Sequence, residues 1–101
     1  MGQLYTHGRW VAKEGQQDRF QAAWQELAEW TAANIPGAVA GEARLLQDLE
    51  DPTRFYSFGP WESMQAIQAW RAHPGFQERV GRVRDLLESF EAHTLSLVAQ
   101  G

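Results

Sequence analysis

Residues 38–61 read Ala-Val-Ala-Gly-Glu-Ala-Arg-Leu-Leu-Gln-Asp-Leu-Glu-Asp-Pro-Thr-Arg-Phe-Tyr-Ser-Phe-Gly-Pro-Trp. Two apolar stretches, 38–49 and 54–61, flank Glu50-Asp51-Pro52-Thr53. Pro52 sits where a turn favours its fixed φ, and so short a polar link between two strand-like runs predicts a β-hairpin.

On both sides of this hairpin the period changes to that of a helix. Upstream, Phe20, Ala23, Trp24, Leu27 and Thr31 recur at the spacing of one helical face, which predicts a helix over 17–34 with Trp30 bordering the stripe. Asp18 near its start suits the positive end of the helix dipole. Asn34-Ile35-Pro36-Gly37 closes it, because Pro36 disfavours helix at Ile35 and Gly37 supplies turn freedom. Downstream, Ser63 is placed to cap a helix over 64–72. His73-Pro74-Gly75 punctuates, and Phe76, Val80, Val83, Leu86 and Leu87 predict a third helix over 76–88. The two ends alternate with period two: residues 3–13 put Leu4, Thr6, Gly8, Trp10 and Ala12 on one face, and 90–100 read as a last strand.

The order β-α-β-β-α-α-β is that of an α+β, ferredoxin-like split βαβ: a four-stranded antiparallel sheet with helices on one face. It fills 1–101 as a single domain. Neither sheet face is clearly polar. Phe55, Ser57 and Trp61 oppose Tyr56 and Phe58, and Trp10 and Leu4 oppose Val11 and Tyr5. Helices cover one face only, so the other predicts a two-fold partner pressing sheet to sheet, as in a dimeric α/β-barrel.

Composition narrows the function. The net charge of −4 argues against nucleic acid and an anionic membrane as partners. The absence of cysteine removes disulfides and thiolate chemistry, and fits the cytoplasm. No run is long enough to span a membrane, and no signal peptide is evident. Met1-Gly2-Gln3-Leu4-Tyr5-Thr6 matches a short myristoylation pattern, but the same stretch reads as the start of a strand. His7, His73 and His93 lack a short metal-ligand spacing, and no HExxH, phosphate loop or nucleophile elbow occurs, so no metal site is predicted. Five Trp and five Phe are many for this length and suit an aromatic cavity as well as a core.

Residues 41–76 carry the features that resemble a known family: Asp51-Pro52 before the third strand, Trp61-Glu62-Ser63 at its end, Ala69-Trp70, then His73-Pro74-Gly75-Phe76. With Pro36-Gly37, this pattern resembles the antibiotic biosynthesis monooxygenase (ABM) domain family over about residues 9–97. The resemblance implies the same fold and a homodimer. It implies one of several chemistries, among them oxidation of hydroxyaromatic compounds without metal or flavin, and oxidative haem breakdown.

The haem degraders carry an Asn on the first strand, a Trp in the second helix and a later His; this chain has Gly8, Trp70 and Val80 there, so the axial ligand is missing. The anthrone-type enzymes carry an Asn four residues before the Trp and a Tyr six after it; here these are Ser57, Trp61 and Ile67. Triplet oxygen reacts with an electron-rich anion, which needs a dry aromatic pocket and a hydrogen-bond donor. The candidate catalytic residues are therefore Trp61, Ser57 and His73. Trp70, Tyr56, Ile67 and Arg44 are the candidate substrate-binding residues, and no cofactor is expected. The reading is a cofactor-independent monooxygenase acting on a hydroxyaromatic or quinol-like molecule. A non-catalytic ligand-binding or regulatory dimer, and an isomerase or cyclase of aromatic intermediates, stay open beside it.

Overall fold

A computed structural model describes residues 3–101, so the Met1-Gly2 start of the lipidation pattern lies outside the described residues. The elements are β1 (Leu4–Ala12), α1 (Gln17–Asn34), β2 (Arg44–Gln47), β3 (Arg54–Trp61), α2 (Met64–Ala72), α3 (Pro74–Arg84) and β4 (Leu87–Ser96). The sheet order is β2-β3-β1-β4 with every neighbouring pair antiparallel. This is the ferredoxin-like α+β architecture that the order of periods predicts.

Local chemistry accounts for the boundaries. At the hairpin, the Asp48 carboxylate accepts from the Glu50 and Asp51 amides. Asp51 accepts from both the amide and the hydroxyl of Thr53. Ser63 Oγ caps α2 by accepting from the Ala66 amide at 3.1 Å.

Several boundaries differ from the sequence reading. The second strand is shorter than 38–49, because Gly37 and Gly41 hold φ of +94° and +78° and turn the intervening chain. Ala38 keeps only an isolated bridge to Trp61. The third helix starts at Pro74 instead of Phe76, since His73 Nδ1 accepts from the Gly75 amide and proline suits the first turn. That helix ends at Arg84 and the last strand begins at Leu87: Leu86 O accepts from the Lys13 amide and Leu87 pairs with Ala12, drawing both into the sheet.

Three helices cover one sheet face. Trp10, Ala12, Phe20, Phe55, Val83 and Leu87 form one core cluster, and Ile35, Trp61 and Ile67 a second. Phe20 and Ile67 are wholly buried, each worth about 2–3 kcal/mol in apolar transfer. The opposite face is bare of helix. Leu46, Phe58 and Leu95 stand out from it with 53%, 37% and 42% of their surface exposed. It also carries polar groups. Arg9 pairs with Glu91 at 3.0 Å, and the His7 ring lies 4.9 Å from Phe58 and 6.0 Å from His93. The Glu91 hydrogen bond, followed by Tyr56, raises the pKa of Arg9. No helix among the described residues is long and apolar enough to cross a membrane.

Candidate active site

The two core clusters do not close against each other. Between α1, α3 and the covered sheet face lies a cavity of about 420 Å³, within the range of small-molecule sites. Its floor comes from strand residues that share one face by period two: Thr6, Gly8 and Trp10 of β1, and Ser57, Gly59 and Trp61 of β3. Leu27 and Thr31 of α1, Trp70 of α2, and Phe76 and Val80 of α3 complete the walls. Glu29, Arg44 and Arg71 stand among the lining residues as charged groups.

The walls are largely aromatic. The Trp61 and Trp70 rings are 5.0 Å apart, Trp70 meets Phe76 at 4.4 Å, and Trp10 meets Phe90 at 4.5 Å. A buried indole N–H needs an acceptor. Each of these three tryptophans finds a hydroxyl: Trp10 donates to Ser57 Oγ at 3.0 Å, Trp61 to Thr6 Oγ1 at 3.0 Å, and Trp70 to Thr31 Oγ1 at 2.9 Å.

The three hydroxyls differ in what they do with their own proton. Thr31 spends it on the Leu27 carbonyl at 2.8 Å, and Thr6 on the Gly59 carbonyl at a long 3.5 Å. Ser57 accepts from Trp10 and donates to no group among the described residues, although only 8% of it is exposed. Buried donors are rarely left without a partner. Ser57 therefore offers one free O–H to whatever occupies an aromatic cavity.

The sequence candidates separate in space. Ser57, Trp61, Trp70 and Arg44 all line the cavity. The Arg44 guanidinium is turned to the Gly41 and Ala43 carbonyls at 2.8 and 3.0 Å. Tyr56 lies on the opposite sheet face, where its ring stacks with His7. Ile67 is enclosed in the second core cluster and contributes no cavity wall. His73 caps α3 with Nδ1 and meets the edge of Trp30, outside the cavity. The sequence reading did not single out Trp10, Thr6 or Thr31 as site residues. Their signal was the shared strand face for Trp10 and Thr6, and the helix stripe for Thr31.

Haem fits these residues poorly. A Cβ at Gly8 would fall 2.5 Å from Trp10 Nε1 and 2.8 Å from Ser57 Oγ, so the indole fills the space that a longer side chain needs. Val80, 4% exposed, offers no axial ligand. Among the described residues no three His, Asp or Glu side chains gather as a metal-holding group.

The family model described as antibiotic biosynthesis monooxygenase matches residues 4–82. The chain belongs to that family. Its fold matches SnoaB of Streptomyces nogalater, a cofactor-independent oxygenase, with a TM-score of 0.87 at 19% identity over 99% of this chain and 97% of that one. A candidate antibiotic biosynthesis monooxygenase from Chloroflexus aurantiacus J-10-fl gives 0.76 at 24% identity, covering 98% and 96%. One from Bordetella bronchiseptica gives 0.83 at 19%, covering 98% and 100%. At these identities the likeness is one of fold. No curated protein matches the sequence.

Proposed function

We propose that this chain is a cofactor-independent monooxygenase that oxidises a hydroxyaromatic or quinol-like molecule, working as a homodimer joined through its open sheet faces. The observation that carries the reading is the free Ser57 hydroxyl inside a cavity walled by Trp10, Trp61, Trp70 and Phe76. Family membership and the fold shared with a cofactor-independent oxygenase support it.

The chemistry follows from that arrangement. Flat aromatic walls hold a fused-ring substrate and exclude water. The Ser57 O–H donates to the substrate oxygen and stabilises its phenolate or enolate, in a medium where such a bond is stronger than in water. The electron-rich anion passes one electron to oxygen, and the radical pair joins at the activated carbon. For an anthrone, one oxygen atom replaces the two hydrogens of the activated methylene carbon, and the other leaves with them as water. An acidic anthrone or quinol gives its proton to solvent on entering the cavity, and Ser57 lowers the cost of that first step by stabilising the anion left behind. The exposed Leu46, Phe58 and Leu95 support the dimer, since a bare apolar patch on a sheet favours a second copy related by a two-fold axis.

Oxygen uptake tests this with a panel of anthrones, quinols and catechols, with and without chelator, on wild type and Trp61→Ala. Uptake that resists chelator and falls in the variant is expected. Binding of panel members without uptake would assign a binding module instead.

A further inference from the structure

Ser57 and Gly8 face each other as paired residues of β3 and β1, and Trp10 is the next residue on the same face of β1. Gly8 has no side chain, so the Trp10 indole can lean back along the strand and reach Ser57 Oγ at 3.0 Å. Trp10 is itself held: 6% exposed, it packs against Phe20 at 5.5 Å and Phe90 at 4.5 Å. A rigid N–H thus occupies one acceptor direction of a rotatable hydroxyl. An O–H that accepts a hydrogen bond also becomes a better donor. The hydroxyls of Thr6 and Thr31 receive the same indole donation but turn their protons to backbone carbonyls.

We propose that Trp10 is a positioning residue: its indole N–H orients and polarises Ser57 so that the hydroxyl proton is delivered to an anionic oxygen of the cavity ligand. The inference rests on the reading of the site as one for hydroxyaromatic molecules. It adds that Gly8 and Trp10 are what make a serine sufficient at this position.

The probe is alizarin, a dihydroxyanthraquinone whose phenol changes colour on ionisation. Titrating it at saturating protein, followed by the visible phenolate band, reads the hydrogen bond without turnover. The charged lining groups Glu29, Arg44 and Arg71, and His7 with its ring on the other sheet face, are common to all forms compared, so differences between forms isolate the pair.

In wild type the bound phenol ionises at lower pH than free alizarin. Ser57→Ala and Trp10→Phe each move the transition up, by about one pH unit for loss of one such bond. The double variant moves it no further, because both substitutions act through the same Ser57 hydrogen bond to the phenolate. A protein carrying benzothiophene in place of the indole at position 10 keeps the ring shape without the N–H. It matches Trp10→Phe and guards against a packing defect in that variant. Additive shifts, or wild-type titration with the benzothiophene while Ser57→Ala shifts, would overturn the role of Trp10 alone. Failure of wild type to bind alizarin would overturn the hydroxyaromatic reading and the inference with it.

Discussion

Thr31→Val is a nearly isosteric change with a cost that the structure fixes in kind. Thr31 is 8% exposed, and its hydroxyl accepts from Trp70 Nε1 at 2.9 Å while donating to Leu27 O at 2.8 Å. Valine keeps the shape and the β-branch. It leaves the Trp70 N–H facing a methyl group, whereas the Leu27 carbonyl still has its place in the helix. Trp70 is half-buried, so its orphaned N–H costs about 1 kcal/mol, the low end for an unsatisfied donor. With a urea slope of about 1–2 kcal/mol/M for a chain this short, the midpoint falls by roughly 0.5–1 M. Urea unfolding followed by circular dichroism, at fixed protein concentration, reads this directly. Adding Trp70→Phe removes the orphaned N–H, so the double variant loses less than the sum of the two single changes. A Thr31→Val midpoint within about 0.2 M of wild type, the scale of a neutral surface change, would refute the view that these indole–hydroxyl pairs hold the cavity walls.

Two further outcomes follow from the same geometry. Light scattering at micromolar concentration gives about twice the 11.5 kDa chain mass, and Phe58→Glu on the bare face returns it to that of one chain; a wild type that scatters as a monomer removes the argument from the open sheet. The Thr53 hydroxyl, then the Thr53 amide and Arg54, hold the Asp51 carboxyl below its ordinary value of 3.8. A depressed folded pKa gives stability present above that value and lost as pH falls through the lower folded one. Asp51→Asn therefore lowers the urea midpoint at pH 7, and its difference from wild type shrinks as the pH is taken below 3.8; a gap that widens with acid contradicts the assignment.

Much of the fold was legible because it rests on period. Phe20, Leu27 and Thr31 mark the buried side of α1 by helical spacing, and alternation along β3 separates Phe55 and Ser57 from Tyr56 and Phe58. The errors fall where two periods agree. Leu86 and Leu87 continue the apolar face of α3, yet they are also the residues that pair with the end of β1. Only tertiary pairing decides between helix and strand there. Of the site, the sequence offered Ser57, Trp61 and Trp70, which line one cavity. It placed Ile67 by alignment to a tyrosine, but an apolar side chain on the inner face of α2 is drawn into the core. Trp10 was hidden because its bond to Ser57 joins residues 47 apart in the chain, and nothing local announces it. Tyr56 and His73 show the converse. Both carry polar side chains suited to such a site, but a strand's alternation sends Tyr56 to the far face, and a capping bond turns His73 to its own helix.

The central claim is that the free Ser57 proton stabilises a substrate anion on its way to reaction with oxygen. Oxygen-electrode kinetics with 1,8-dihydroxyanthrone, corrected for its slow spontaneous oxidation, compare wild type with Ser57→Ala. Loss of a donor aimed at developing charge lowers kcat by about 10²-fold with little change in KM. A Ser57→Ala enzyme that turns over at the wild-type rate would contradict the account.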